Sequence, residues 1–119
     1  MPSLTSVVGA ATATFSAALV VAPRVLIGPA RLTDTADTRS LVRALGVRDV
    51  VTGLALMAAP AGRARRTATA ARVVCDWTDA VVFPSALAGR GTGVLVAGSA
   101  WGWGALALGA LLLDERAGR

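Results

Sequence analysis

Six ionisable residues interrupt two segments that are otherwise apolar, and four of the six lie deepest. These four are Arg48 and Asp49 in one segment and Asp76 and Asp79 in the next. A charge at the centre of a bilayer costs roughly 2.5 to 3.5 kcal/mol on insertion scales, so such groups face the protein interior or a wet cavity. A carboxyl group that keeps its proton beside an ionised one can serve general acid–base catalysis. The pattern predicts Asp76 or Asp79 as the acid, Asp49 as the base, and Arg48 as the group that orients a carboxylate or binds an oxyanion.

The composition excludes several other kinds of site. The chain has 119 residues, of which 55% are hydrophobic and 16% charged, and it contains no histidine and no lysine. A Ser-His-Asp triad, an imidazole metal site, a Schiff base and a P-loop are therefore excluded. Cys75 is the single cysteine, which excludes an internal disulfide, a zinc ribbon and a redox pair. We predict neither a cofactor nor a bound metal.

Four segments approach the roughly 20 apolar residues that cross a hydrocarbon core of about 30 Å. They are residues 4–22, 41–59, 68–88 and 94–113. The first and fourth carry no charge and no polar face, so a small soluble core could not bury them. We predict an all-α, integral membrane four-helix bundle that forms a single domain over 1–119, with residues 23–40 as the longest extramembrane loop. A soluble bundle, or a signal peptide in place of the first span, are the alternatives.

The twelve arginines outnumber the seven acids and give a net charge of +5. Five arginines lie on the side of the membrane that holds the amino terminus and four lie on the other side. The cluster within residues 63–66 is the densest. This distribution predicts a multi-pass protein of the cell membrane with both termini in the cytoplasm. We therefore assign the basic charge to topology and lipid headgroups. Without interleaved aromatic residues it does not predict nucleic-acid binding.

The rise of 1.5 Å per helical residue places the polar groups in one layer. Asp49 lies about 12 Å, and Asp79 about 13 to 14 Å, from the side on which the second span begins. Trp101 and Trp103 of the fourth span lie about 12 and 15 Å from that side. Thr12 supplies a polar group at mid-depth of the first span. Each span thus contributes to one midplane layer.

Helical spacing assigns these groups to faces. The third span has one stripe with the spacing i, i+4, i+7 and i+11, made of Arg72, Asp76, Asp79 and Phe83. Asp49 shares a face with small or apolar residues, which we expect to let the third span approach: Gly46, Thr52, Gly53 and Leu56. We expect Arg43 and Arg72 to lie nearer the surfaces and to snorkel. Three midplane carboxylates would then share one deep arginine, Arg48.

The aromatic residues of the third and fourth spans predict a substrate pocket. Tryptophan usually lies at the membrane interface, whereas these are at mid-depth. The predicted substrate-binding residues are Trp77, Trp101, Trp103, Phe83 and Arg72. Trp101 and Trp103 are two positions apart and cannot both face inward, so lipid-facing packing is the alternative for one or both. Gly98 and Gly102 match a helix-association motif that is common by chance in such a sequence.

Two other interpretations of the charged layer remain open. In the first, Arg48 and Asp79 or Asp76 form a buried ion pair that fixes the register of the second and third spans. In the second, Asp76 and Asp79 hold Mg²⁺ together with Asp49. The nearby arginines oppose the magnesium interpretation.

Two short motifs carry a resemblance to a known class of proteins. Arg43-x-x-Gly46-x-Arg48-Asp49, followed by Asp76-x-x-Asp79 on the next helix, resembles small four-helix bacterial integral membrane proteins of uncharacterised function. This resemblance covers nearly the whole chain and implies fold rather than activity. A looser resemblance, to membrane-embedded terpene cyclases and epoxide-opening enzymes of specialised metabolism, implies acidic residues working inside a helical bundle.

The preferred functional prediction is a small membrane enzyme that acts on a lipophilic substrate entering from the bilayer. Its reaction would be acid–base isomerisation, cyclisation or epoxide opening of a terpenoid or polyketide. The alternative is a non-catalytic membrane module: a subunit or chaperone of a complex, or a small transporter. Four short helices enclose little volume, so a transporter would need a homo-oligomer, for which the fourth span is the predicted interface.

Overall fold

A computed structural model describes residues 2–86 and 93–119, with the backbone alone for 83–86 and 93–96. The described part of the chain is helical throughout and contains no strand, so the all-α prediction is confirmed. Its helices are α1 (Leu4–Val21), α2 (Arg24–Ile27), α3 (Ala36–Ala58), α4 (Arg63–Ala86) and α5 (Gly93–Ala117).

The helix bounds differ from the predicted spans mainly at polar ends that hydropathy does not register. α3 begins five residues before the predicted position 41 because Thr35 caps it, its hydroxyl accepting the Thr38 N–H. α4 begins at Arg63 rather than 68, directly after Gly62, whose φ of +98° suits glycine. α5 continues four residues beyond the predicted end at 113. The predicted loop 23–40 thus contains α2 and the start of α3, and residues 87–88 of the predicted third span lie outside the described residues.

The four long helices run alternately up and down the bundle. α1 packs closely on α3 and α4 closely on α5, whereas the contacts of α1 with α5 and of α3 with α4 are sparser. The bundle therefore consists of two tight helix pairs that meet along two seams, α1/α5 and α3/α4.

Glycines bring α1 and α3 close together. A methyl group at Gly9 would lie 2.6 Å from the carbonyl oxygen of Gly53, and one at Gly46 would lie 2.9 Å from the carbonyl oxygen of Ser16. The expectation that Gly46 and Gly53 let the third span approach was therefore wrong. Both face α1 instead, where the missing side chain lets the two helix backbones come into contact.

Several polar residues are buried beside the apolar core of this bundle, and many large apolar residues lie on its surface. The buried polar or charged residues are Thr5, Thr12, Ser16, Thr69, Arg72 and Asp76. More than half of the residue surface is exposed at each of five large apolar residues: Phe15, Leu41, Val51, Val81 and Leu113. A buried arginine and aspartate together with so many exposed large apolar residues are unusual in a soluble domain.

One helix among the described residues has the length and composition of a membrane span. α1 has a mean hydropathy of 1.8 over its 18 residues, one third of which are buried, and it lies near the amino terminus. Helices α3 and α4 do not meet that criterion, since both carry several charges. Multi-pass insertion remains a prediction.

Asp114 caps α1 from the far end of α5. Its carboxylate accepts the Leu4 N–H, the Thr5 N–H and the Thr5 hydroxyl, each at 2.8 Å. A negative charge at a helix N-terminus also interacts favourably with the helix dipole. This contact closes one end of the α1/α5 seam.

We expect Asp114→Asn to lower the free energy of unfolding by about 1 to 2 kcal/mol, because the amide has one acceptor oxygen instead of two and lacks the negative charge that strengthens these hydrogen bonds. Burial acts to raise the pKa of Asp114, but the hydrogen bonds from Thr5 and Leu4 outweigh it and the pKa is lowered. Stability from this group is therefore complete above its unfolded-state pKa near 3.8 and is lost as the pH falls through the lower folded-state value. Thermal unfolding in detergent from pH 7 to pH 3 measures this. If Asp114→Asn loses as much stability on acidification as the wild type does, the assignment is contradicted.

Candidate functional site

The predicted midplane charges meet across the α3/α4 seam. Arg48 and Asp49 lie on α3, and Arg72, Asp76 and Asp79 lie on α4. Each α4 residue is three or four positions from the next, so all three occupy one helix face. The antiparallel run of the two helices brings that face to the level of Arg48 and Asp49.

Arg48 joins two carboxylates. Its Nη1 and Nη2 donate to Asp79 Oδ1 and Oδ2 at 3.1 and 2.6 Å, which is a two-bond contact between helices. Its Nε donates to Asp49 Oδ1 at 2.9 Å on its own helix. This is the Arg48–Asp79 pair that the ion-pair interpretation names.

Arg72 is the second deep arginine. Its Nε donates to Asp76 Oδ2 at 2.9 Å and its Nη2 donates to Asp76 Oδ1. Its Nη1 lies 3.1 Å from Asp49 Oδ1 and donates to Thr52 Oγ1 at 2.8 Å. The expectation that Arg72 snorkels to a surface was wrong: only 1% of its side chain is exposed. Partners on both helices hold the guanidinium inside, which outweighs its tendency to reach water.

The five groups therefore form a chain of alternating charge, which we call the ion chain: Asp79, Arg48, Asp49, Arg72 and Asp76. Asp49 is its central member, because both arginines contact its Oδ1. The expectation of one deep arginine for three carboxylates was also wrong, since there are two. One carboxylate nevertheless exceeds the arginines, so the ion chain has a net charge of −1 when all members are ionised.

The ion chain is sealed at one end and more open at the other. The Arg72 and Asp76 side chains are 1% and 7% exposed, whereas that of Arg48 is 35% exposed. Towards the short connection between α3 and α4, residues of both helices line an open groove of about 800 Å³. Its walls are mostly alanine: Ala55, Ala58, Ala59, Ala64, Ala68 and Ala71, with Thr67 and Arg63. The groove is therefore apolar and begins one residue from the buried Arg72.

The predicted substrate-binding aromatics do not converge on one pocket. Trp101 is about half exposed and its ring centroid lies 5.1 Å from that of Trp77. Trp103 points to the other seam, where its Nε1 donates to Thr12 Oγ1 of α1 at 2.8 Å. Gly104 lies directly under the Trp77 indole, which explains the glycine at that position. The side chain of Phe83 lies outside the described residues.

The magnesium interpretation finds no support in the geometry. Among residues 2–82 and 97–119, no three acidic or cysteine side chains are grouped as metal ligands. Each of Asp49, Asp76 and Asp79 is instead paired with an arginine.

No known relative matches the chain. The comparisons with protein-family models, with curated proteins and with solved structures all return nothing. The resemblance to small four-helix bacterial membrane proteins therefore stays a prediction.

Sequence reasoning missed two polar contacts. Asp114 directly follows the predicted fourth span and received no role from the sequence, although it caps α1. Thr52 was placed on the Asp49 face but without a role, whereas it accepts a bond from Arg72. The spacing of Arg72 and Asp76, four residues apart on one helix, was the available signal that Arg72 stays inside.

Proposed function

We propose that this chain is a multi-pass membrane protein whose four long helices cross the bilayer. The observation that carries the proposal is the apolar outer surface: eighteen large apolar residues are exposed among the described residues, while Arg72, Asp76 and four hydroxyl side chains are buried beside the apolar core. A soluble monomer rarely exposes contiguous apolar patches larger than a few hundred Å². Lipid is the solvent that accepts such a surface on every long helix, including those whose charges lie inside.

We further propose that the ion chain joins the two helix pairs and that the protein is a non-catalytic membrane module. Helices in lipid gain no hydrophobic free energy from one another, so interhelical polar contacts and close packing hold them together. α1/α3 and α4/α5 have close packing, whereas the sparser α3/α4 seam has the ion chain. Both arginines already have two carboxylate partners each, which favours a structural role over the binding of a developing oxyanion.

Cysteine labelling tests the membrane arrangement. Cys75→Ala supplies a cysteine-free background, into which single cysteines are placed at Ala61, Thr33 or Gly118. We expect the protein in the carbonate-washed membrane fraction. An impermeant maleimide should label position 33 in intact cells, and positions 61 and 118 only after permeabilisation. Labelling of all three positions from the same side, or recovery of the protein in the supernatant, would contradict multi-pass insertion.

The alternative is the acid–base enzyme, and two features favour it. The ion chain has three carboxylates and two arginines. A proton on the excess carboxylate would give a neutral acid beside ionised ones. An open apolar groove of about 800 Å³ lies on the surface formed by α3 and α4, and Ala71, the sequence neighbour of Arg72, is one of its walls. A terpenoid or polyketide in the bilayer would pack against this groove. Asp49, Asp76 and Asp79 would share the acid and base roles.

Mass spectrometry of lipid extracts separates the two candidates. Cells expressing the wild type are compared with cells expressing Asp49→Asn, which keeps the shape of the side chain and removes its charge. An enzyme predicts compounds that only the wild type forms, either isomers of a host lipid or the same lipid with one water added. Identical extracts from both strains, with both proteins folded, favour the non-catalytic module.

A further inference from the structure

Three arginines surround a small pocket at the end of the bundle opposite to the chain termini. The pocket has a volume of about 310 Å³ and is walled by the last turn of α1 and the first turns of α3. Its lining consists of Val21, Ala22, Pro23, Arg24, Arg39 and Arg43. Neither the ion chain nor the alanine groove includes any of these residues.

The cationic charge of this pocket is only partly neutralised. Asp34 accepts Arg24 Nε at 3.0 Å and Arg39 Nη1 at 2.7 Å, so one carboxylate serves two guanidiniums. The hydrogen bond from Arg39 dominates and lowers the pKa of Asp34, which therefore stays ionised at neutral pH. Arg43 contacts no carboxylate among the described residues; its Nε donates to the Val20 carbonyl at 3.1 Å. Three guanidiniums and one carboxylate leave a local charge of +2.

The guanidinium donors have capacity left for a ligand. Arg24 is bonded to Asp34 only through Nε, and Arg43 to Val20 only through Nε, within the described part of the chain. The terminal nitrogens of both remain for another acceptor. Arginine offers paired N–H donors that match the oxygens of a phosphate, and a phosphate has enough acceptor oxygens to bond with more than one guanidinium at once.

We propose that this pocket binds a phosphate group. The three arginines provide the charge and Val21, Ala22 and Pro23 form an apolar wall beside it. If the four-helix membrane arrangement is correct, the pocket lies at the bilayer surface, and the phosphate is that of an anionic phospholipid headgroup. A soluble phosphate compound offers the same chemistry, and the experiment below separates the two sources.

Thermal unfolding of the purified protein in neutral detergent gives the first measurement. Inorganic phosphate and dioleoyl phosphatidylglycerol are each titrated against sulfate-free buffer and phosphatidylcholine controls. We expect the wild type to be stabilised in a saturable way. Arg24→Gln combined with Arg43→Gln should weaken the apparent affinity about tenfold or more, because two charge-assisted bonds are lost. Arg116→Gln combined with Arg119→Gln, at two exposed arginines of the opposite end, removes the same two charges and should leave the affinity unchanged.

Asp34→Asn provides a test that does not depend on loss of function. It removes the carboxylate that competes for Arg24 and Arg39, so we expect phosphate to bind several-fold more tightly. Saturation by phosphatidylglycerol at far lower concentration than inorganic phosphate assigns a lipid headgroup, and equal affinities assign a soluble phosphate compound. The proposal is overturned if the double variant binds like the wild type or if Asp34→Asn binds no more tightly. Because detergent replaces the bilayer, this result stands apart from the test of membrane topology.

Discussion

Replacing Arg72 with methionine should lower the free energy of unfolding by about 3 to 5 kcal/mol, the usual loss when one partner of a buried ion pair is removed. Arg72 is almost completely buried and contacts Asp49, Asp76 and Thr52. Without it the ion chain would change from one excess negative charge to two, around a single remaining arginine. Unfolding in mixed micelles with increasing dodecyl sulfate, followed by circular dichroism, measures the change.

Asp76→Asn is the matched control for this prediction. It removes the Arg72–Asp76 pair from the opposite side but takes the ion chain from −1 to zero, and the amide oxygen still accepts a hydrogen bond. We expect a loss of about 1 to 2 kcal/mol, comparable to that of a hydrogen bond with a charged group. Equal destabilisation by both variants would show that the excess negative charge is not what makes Arg72 necessary. Wild-type stability of Arg72→Met would remove the structural role of the ion chain altogether.

The second large effect is expected at Gly9, where a single methyl group should separate α1 from α3. In Gly9→Ala the new carbon would contact the backbone of Met57 and lie 2.6 Å from the Gly53 carbonyl oxygen. Backbone atoms cannot move aside as a side chain can, so the helices must part. Overpacking of this kind costs about 1 to 3 kcal/mol. The same unfolding measurement reports it.

Gly102→Ala separates overpacking from the helix propensity of alanine. Nothing lies within 4 Å of a methyl group at Gly102 on α5. Alanine is favoured over glycine inside helices by roughly 1 kcal/mol, so this variant should be unchanged or more stable. If Gly102→Ala is instead as damaging as Gly9→Ala, the outward face of α5 is in contact with a partner, and the predicted homo-oligomer through that helix gains support.

The arginines of the ion chain limit the chemistry that it can perform. Each of them contacts two carboxylates, so a reaction would have to use the one excess carboxylate rather than a free guanidinium. Asp49 is the residue to test, because it is the central member of the ion chain and both arginines contact its Oδ1. If Asp49→Asn folds and the lipid extracts are unaltered, the ion chain has a structural role and not a catalytic one.

The sequence by itself determined the helices and the level of their charged groups along the helix axes. Residues 4–22 predicted α1 to within one residue, and counting 1.5 Å per residue placed Asp49, Asp79 and Thr12 in one layer. Depth follows from position along a helix, so no knowledge of neighbours was required. Bounds were less accurate at Ala36 and Arg63, because polar caps and charged first turns carry no hydropathy signal.

The tertiary structure decided which groups meet within that layer. Rotation of α3 about its axis is fixed by Gly46 and Gly53 against α1, and this leaves Asp49 directed at α4. Arg72 could have extended outward, and only the presence of Asp49 and Thr52 opposite it keeps it inside. A flexible side chain several ångströms long reaches more than one partner, so its contacts depend on the packing of whole helices rather than on its spacing along one of them.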